Sequence, residues 1–247
     1  MTYFEGFIVP VPEARRDEYR QQASQFWPIF RELGVQRQVE AWDSDVPEGK
    51  VTDFRKSVDA KDDEKVVFSW FEYPNRQARD AANQKMMSDE RMKEAGANMP
   101  FDGKRMVIGG FDSIVDRGDG QGATYTDGYV VPVIDSKREE YRQMAEKMAG
   151  VFQQHGALRV VEALADDVQH GKVTDFHRAV KAEDGEIIAF SFVEWPDKKT
   201  RDDAWAKIMA DESLKPEGEM PFAGQRMFWG GFENIVDTAN ARQTAEA

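Results

Sequence analysis

The amino-acid sequence occurs twice within one chain, and this repeat limits the possible folds more than any other feature. The segment GKVTDF at residues 49–54 returns unchanged at residues 171–176, and MPFDGKRM at residues 99–106 returns as MPFAGQRM at residues 220–227. The copies are offset by 122 residues before the stretch near Glu94 and by 121 residues after it. A period of this length indicates two tandem domains rather than a solenoid of short units.

A short glycine-rich segment joins the copies. We place the first domain at residues 1–116, the linker at 117–124, the second domain at 125–237 and a tail at 238–247. The glycines of the linker make it a flexible tether that keeps the copies within reach of each other. The tail carries no apolar pattern, so we expect it to be frayed.

Each copy has the same order of predicted elements: strand, helix, strand, strand, helix, strand. In the first copy we place the strands at about residues 4–9, 35–42, 66–73 and 105–111, and the helices at about 13–33 and 75–87. Apolar side chains at helical spacing predict the first helix, and Pro28 predicts a kink in it. This βαββαβ order is that of a ferredoxin-like α+β unit, in which two helices cover one face of an antiparallel sheet.

The predicted sheet has no polar face. Residues 66–71 and 187–193 are apolar at odd and even positions alike, apart from Ser69 and Ser191. A sheet with one face in water alternates apolar and polar residues, so both faces of this sheet must be covered. The available cover is the other copy. We therefore predict an α+β fold in which two ferredoxin-like βαββαβ units pack sheet to sheet as an intramolecular dimeric α/β barrel.

Composition excludes several classes of function. The 247 residues include no cysteine, which excludes disulfides, thiolate metal sites and a cysteine nucleophile. The net charge of −13 opposes binding to nucleic acid or to an anionic membrane. The N-terminus has no basic segment and no cleavage motif, and no apolar run approaches the roughly 18 residues that span a bilayer. We expect a cytoplasmic protein without nucleic-acid or membrane partners.

Residues spread over both copies carry a resemblance to a known family. They include GFIVPVP at 6–12, Tyr19, Gly34, Glu40, TDF at 52–54, MPFDGKRM at 99–106 and GGF at 109–111, with their counterparts in the second copy. In these positions the chain resembles the YbaA-like family of small bacterial proteins, a family of unknown function. The resemblance implies single domains that pair into a dimeric α/β barrel, here fused into one chain. It implies no activity and no catalytic residues.

Glutamates within the predicted strands are the candidate catalytic residues. Glu40 and Glu162 lie in the second strand of each copy, and Glu72 and Glu194 end the third strand. A carboxyl group inside an apolar sheet can have a raised pKa and act as a general base. The alternative is that the strand-end glutamates are solvated.

Arginines and one long loop supply the candidate ligand contacts. Arg105 and Arg226 open the last strand of each copy, where a guanidinium suits a carboxylate or enolate anion. The alternative is an internal ion pair to Glu40 or Glu72.

The segment between the second and third strands is long for a hairpin connection, and long ordered loops are often functional. Lys50 and Asp53, with Lys172 and Asp175 in the second copy, are candidate ligand contacts there. The alternative is that Thr52 and Asp53 hydrogen-bond the loop's own backbone while Phe54 enters the core.

Other polar and sulfur-containing residues point to no metal or cofactor. The histidines, His155, His170 and His177, all lie in the second copy and have no partner at metal-ligand spacing. We predict no metal and no cofactor. We expect the methionines near the second helix and the last strand to fill the core; they are Met86, Met87, Met92, Met99 and Met106.

The second copy also has Ala223 and Gln225 in place of Asp102 and Lys104. Because all three histidines also lie in the second copy, we predict that the two halves bind any ligand unequally.

Three functions remain open from the sequence. The first is a small-molecule-binding protein with one pocket in each unit. The second, from fold analogy with the dimeric α/β barrel superfamily, is a cofactor-independent monooxygenase or isomerase acting on a small anionic or enolisable substrate. The third is RNA binding, which shares the βαββαβ order but needs an exposed aromatic sheet face. We favour the first function, in a chain that is an internal pseudo-dimer and a monomer as a whole.

Overall fold

A computed structural model describes residues 2–215 and 218–239 of the chain. Its strands are β1 Tyr3–Pro12, β2 Arg37–Asp45, β3 Glu64–Tyr73, β4 Val107–Gly118, β5 Tyr125–Ile134, β6 Arg159–Asp167, β7 Glu186–Trp195 and β8 Phe228–Asp237. Its α-helices are α1 Arg16–Leu33, α2 Phe54–Ser57, α3 Arg76–Ser88, α4 Glu90–Ala97, α5 Arg138–Gln154, α6 Phe176–Ala179 and α7 Lys198–Ala210. The order confirms the predicted βαββαβ arrangement in each half, with short helices α2 and α6 added in the long loops.

The strands close a single antiparallel barrel in the order β1-β3-β2-β8-β5-β7-β6-β4. Each half contributes four neighbouring strands. The halves are joined by hydrogen bonds at two seams, where β2 pairs with β8 and β4 pairs with β6. Closure removes the open sheet edges that each half would have alone. The predicted intramolecular dimeric α/β barrel is therefore confirmed.

The barrel interior is filled by aromatic side chains from both halves. Phe68 and Phe190, which occupy equivalent positions in the two copies, stack with ring centroids 4.5 Å apart. Trp70 and Phe192, also equivalent, stack at 4.1 Å. Gly6 leaves room for this stack, because a Cβ atom there would lie 2.7 Å from the Phe190 ring. The strands are apolar on both faces because one face lines this core and the other lies under the helices.

Several element boundaries differ from the sequence-based expectation. Strand β4 begins at Val107 and continues through Gly118, so Arg105 precedes the strand and residues 117–118, which we placed in the linker, extend it. Helix α1 begins at Arg16 rather than at about residue 13, and it ends at Leu33 as expected, with Pro28 inside it. Thr238, assigned to the frayed tail, is buried and its backbone N–H donates to the Gln38 carbonyl at 3.1 Å. Residues 240–247 of the predicted tail lie outside the described residues. Within the described part of the chain, no helix combines the length and apolar character needed to cross a membrane.

The first half expressed alone should not remain a monomer. Residues 1–123 would expose the edges of β2 and β4 together with the inner apolar face that Phe190 and Phe192 now cover. Exposed apolar surface and free strand edges favour association. We expect a dimer or aggregate at low micromolar concentration in sedimentation velocity, with the full-length chain, for which we expect a monomer, as control. A stable soluble monomer of the isolated half would contradict the dependence of each half on the other.

Candidate functional site

Each half contains a cavity between the outer face of its sheet and the helices that cover it. The first cavity measures about 370 Å³ and the second about 590 Å³. Volumes of a few hundred Å³ are typical of small-molecule sites. The wall of the first cavity is mostly apolar and includes the five methionines that we expected to fill the core, together with Phe7, Phe26, Phe30, Phe71 and Phe101.

A glutamate of β2 forms the polar end of the first cavity. The Tyr19 hydroxyl, from α1, donates to Oε2 of Glu40 at 2.6 Å, and the Gln38 amide donates to Oε1 at 2.9 Å. Ser69 is the register partner of Glu40 on β3 and also lines the cavity. Burial raises the pKa of Glu40 above its ordinary value, although these neutral donors act against the shift. The carboxyl group is thus placed to hold or release a proton inside an apolar space.

The second cavity repeats this arrangement at the equivalent residues. The Tyr141 hydroxyl donates to Oε2 of Glu162 at 2.7 Å, and the Ser191 hydroxyl donates to the same oxygen. Burial again raises the pKa of the glutamate. We call these two groups, Tyr19–Glu40–Ser69 and Tyr141–Glu162–Ser191, the Tyr–Glu–Ser triads. The sequence identified the glutamates as candidates but missed their tyrosine partners. The sequence feature that could have revealed the triads is a tyrosine in the first helix and a single serine in the third strand, both of which recur in the second copy.

The other two candidate bases, Glu72 and Glu194, lie in a buried ion-pair network at one end of the barrel. Arg37 donates to Oε2 of Glu194 in the opposite half at 3.1 Å, and Arg159 donates to Oε1 of Glu72 in the opposite half at 2.7 Å. Burial raises the pKa of Glu194 to about 7, although both arginines lower it. Neither glutamate lines either cavity. Their contacts connect the halves and are not those of solvated strand ends.

The arginines predicted to bind an anionic ligand lie away from both cavities. Nη2 of Arg105 is 2.6 Å from Oε1 of Glu64, and Nη1 is 2.7 Å from Oε2. Arg226 makes the same two-pronged pair with Glu186. The ligand-binding role therefore has no support from the cavity geometry. The alternative of an internal ion pair is present, but its partners are the first residues of β3 and β7 rather than Glu40 or Glu72.

The loop residues that repeat in both copies hold the loop itself. Asp53 accepts from the backbone N–H of Gly49 at 3.0 Å and of Lys56 at 2.7 Å, and so caps α2. A Cβ atom on Gly49 would lie 1.9 Å from the Thr52 carbonyl oxygen, which explains the glycine. Thr52 departs from the expected local bond, because its hydroxyl donates to the Ala179 carbonyl of the other half at 2.6 Å. Phe54 enters the core as expected.

The second copy follows the same pattern. Asp175 accepts from the backbone N–H of Gly171 at 3.1 Å and of Arg178 at 2.7 Å. Lys50 and Lys172 are exposed. These four candidate ligand contacts therefore lie in or beside loop-stabilising turns and not at the cavities.

The features that suggested unequal halves are also remote from the cavities. None of the three histidines is among the lining residues, and Nδ1 of His155 lies 2.9 Å from the Val151 carbonyl oxygen. Asp102 serves as a further partner of Arg105, at 3.0 Å from its Nε, and Ala223 cannot do this for Arg226. In the described ranges, no cluster of three or more histidine, aspartate or glutamate side chains is arranged to hold a metal ion.

Arg105→Ala should reduce stability more than Arg226→Ala. The first arginine is more buried, and its additional partner Asp102 lies 3.0 Å away, whereas the additional partner of Arg226, Glu183, lies 3.4 Å away and is largely exposed. We expect Arg105→Ala to lower the free energy of unfolding by about 3 kcal/mol, the lower end for breaking a buried ion pair. Denaturant unfolding of both variants measures this difference, and equal small losses would contradict it.

The same variant should show a defined pH dependence. Arg105 lowers the pKa of Glu64, chiefly by hydrogen bonding. The pair is therefore fully stabilising above the carboxyl group's unfolded pKa of about 4.3, and it weakens as Glu64 becomes protonated at lower pH. The difference in stability between the wild type and Arg105→Ala should narrow as the pH falls below about 4.

Comparison with known proteins agrees with this architecture. A crystal structure from Fusobacterium nucleatum, named "Putative monooxygenase", superposes with a TM-score of 0.58 at 12% identity and covers 96% of this chain and 93% of that one. An "anthrone oxidase-like protein" superposes with a TM-score of 0.53 at 7% identity over 96% of this chain and 92% of its own. At such low identity these likenesses establish the fold alone.

Sequence relatives place the chain in a family. "Uncharacterized protein YbaA" of Escherichia coli is 61% identical over 116 residues, which are 47% of this chain and 99% of that protein. A family model described as "Protein of unknown function (DUF1428)" matches residues 2–103 and again residues 124–224. The chain therefore belongs to the DUF1428 family, with two copies of the family's domain fused in tandem.

Proposed function

We propose that each half binds a small, mainly apolar molecule in its cavity, with the polar end of the ligand at the Tyr–Glu–Ser triad. The observation that carries this proposal is that both halves have a cavity with the same three polar residues at equivalent positions. A few polar groups in an apolar wall are the usual means of orienting a small ligand. The barrel interior offers no comparable space because aromatic side chains fill it.

The wall chemistry narrows the ligand class for the first cavity. Its described lining residues include Glu5 and Glu40 but neither lysine nor arginine. A small anion would therefore enter without a countercharge, which is unfavourable in an apolar space. Of the two substrate types expected from the sequence, an enolisable molecule suits this cavity better than an anionic one.

Proton-transfer catalysis is the second candidate function, and the raised pKa of Glu40 and Glu162 favours it. A carboxylate at the triad can take a proton from the carbon next to a carbonyl and leave an enolate. An isomerase returns the proton at another carbon, and a cofactor-independent monooxygenase passes the enolate to dioxygen. The names of the solved neighbours, a "Putative monooxygenase" and an "anthrone oxidase-like protein", are compatible with this class of chemistry.

Filling each cavity should remove one binding site. Ala23 and Ala145 are equivalent wall residues on α1 and α5, so Ala23→Phe and Ala145→Phe insert a ring into the first and second cavity respectively. We expect a small aromatic alcohol such as phenylpropanol to bind the wild type in a calorimetric titration. Each variant should lose one site while Met209→Ala, at an exposed position, keeps both. Unchanged binding in both filled variants would contradict the proposal.

The proposed proton transfer should depend on the triad glutamates. For an enolisable ketone that is turned over, Glu40→Gln with Glu162→Gln should reduce kcat by about a hundredfold or more, the range for general acid–base catalysis. The base form is lost as the pH falls through the carboxyl pKa, which burial places above the ordinary value of about 4.3. The rate should therefore decline at a higher pH than for an unperturbed glutamate. Full turnover in the double variant would exclude this role.

A further inference from the structure

The two cavities differ in their hydrogen-bonding groups although their triads match. In the first cavity the Nε2 group of Gln38 donates to Oε1 of Glu40 at 2.9 Å and to the Ala23 carbonyl at 3.4 Å. These two acceptors fix the orientation of the amide, because only its nitrogen can donate. The amide oxygen, Oε1, is buried and has no hydrogen-bond partner among the residues that the structure describes. Since buried acceptors are normally paired, this oxygen is placed to receive a donor from a ligand.

A second carboxyl group adds to the acceptor character of the first cavity. Glu5, on β1, lines the cavity and is 3% exposed. Its Oε1 accepts from the Asn83 amide at 2.7 Å and lies 3.7 Å from Nη1 of Arg79. The polar side of this cavity therefore includes the acceptors of Glu5, Gln38 and Glu40, together with the side chains of Tyr19, Gln22, Ser69 and Asn83. Aromatic rings on the opposite walls suit a cation, because the face of a ring is electron-rich.

The second cavity lacks counterparts of the acceptors that Gln38 and Glu5 supply in the first. Val160 stands where the first half has Gln38. Asp127 stands where the first half has Glu5, but it is absent from the cavity wall because it is bound elsewhere. It accepts from Nε of Arg201 at 2.7 Å and from the indole N–H groups of Trp195 and Trp205 at 3.0 and 2.9 Å.

The second cavity has gained donors instead. Tyr129 stands where the first half has Phe7 and lines the cavity, and its buried hydroxyl has no hydrogen-bond partner within the described part of the chain. Lys147 and Lys215 also contribute to the wall, the latter paired with Glu212 at 2.7 Å. A hydroxyl and a lysine ammonium favour a ligand that presents an acceptor or a negative charge.

We propose that the two halves bind different ligands. The first cavity takes an apolar amine, whose ammonium N–H groups meet Gln38, Glu40 and Glu5. The second takes an apolar molecule whose polar end is a carbonyl, phenolate or carboxylate. This acceptor receives a hydrogen bond from the Tyr129 hydroxyl. This inference rests on the proposed function, since it assigns ligand classes to the same two cavities.

Three probes of one shape and different charge test the inference on the full-length chain: phenylpropylamine, phenylpropanol and phenylpropionate. Two substitutions exchange each distinguishing residue for its counterpart in the other half, Gln38→Val and Tyr129→Phe. In calorimetric titrations we expect Gln38→Val to weaken binding of the amine by about tenfold or more, which is the loss expected for one hydrogen bond to a charged group. Binding of the carboxylate should not change. Tyr129→Phe should weaken the carboxylate and leave the amine unchanged.

A second variant keeps the inference testable if Gln38→Val fails to fold. Glu5→Gln preserves shape and should also weaken the amine selectively, so the result does not depend on Gln38→Val alone. The inference is overturned if the amine and the carboxylate compete for one cavity. It is also overturned if Gln38→Val and Tyr129→Phe affect the binding of both probes equally, or if phenylpropanol binds and neither charged probe does. Each of these results leaves the proposed function standing. If none of the three probes binds, the proposed function fails and the inference fails with it.

Discussion

The structure depends on burying the inner apolar face of each half's sheet against the other half. The stacked pairs Phe68–Phe190 and Trp70–Phe192 lie at the centre of that contact, with ring centroids 4.5 and 4.1 Å apart. Large aromatic side chains of this kind bury much apolar area and dominate core energetics. Because they fill the barrel, the two candidate cavities lie on the outer face of each sheet, beneath the helices. The position of both candidate sites therefore follows from the way in which the core is closed.

The buried carboxyl groups fall into two kinds according to their partners. Glu72 and Glu194 are held by Arg37 and Arg159 at the end of the barrel, and they line neither of the two candidate cavities. Such a network connects the halves, and breaking one of its pairs would leave an uncompensated buried charge. Glu40 and Glu162, by contrast, receive hydrogen bonds from neutral donors and line a cavity. This difference in partners and access is what selects the second kind as candidates for binding and proton transfer.

Because the two copies are fused in one chain, equivalent positions of the two halves can carry different residues, which a dimer of identical chains does not allow. In a symmetric dimer every substitution appears in both cavities. Here Gln38 and Tyr129 each line one cavity only. Their counterparts in the other half are Val160, which is packed in the core, and Phe7. The triads, the loop caps and the arginine–glutamate pairs have remained alike in both halves, whereas the groups that would contact the rest of a ligand have diverged. Differences at these wall residues are what separate ligand preferences on a shared architecture require.

The sequence by itself determined the architecture, because repetition, element order and apolar pattern are local properties of the chain. Two copies of βαββαβ with strands apolar on both faces leave few arrangements other than a barrel closed by both halves, and that prediction is confirmed. It also identified Glu40 and Glu162, since a charged residue within an apolar strand is visible in the sequence.

Only the tertiary structure decided which charged groups meet. Arg105 pairs with Glu64 across 41 positions and Arg37 with Glu194 across 157. Residue type and spacing left an internal ion pair open for Arg105 but did not reveal its partner, and they did not reveal the Arg37 pair. The methionines expected in the core, such as Met99 and Met106, line a cavity for a related reason. An apolar side chain has the same pattern in the sequence whether its neighbours fill the adjacent space or leave it open, and that depends on packing between elements far apart in the chain.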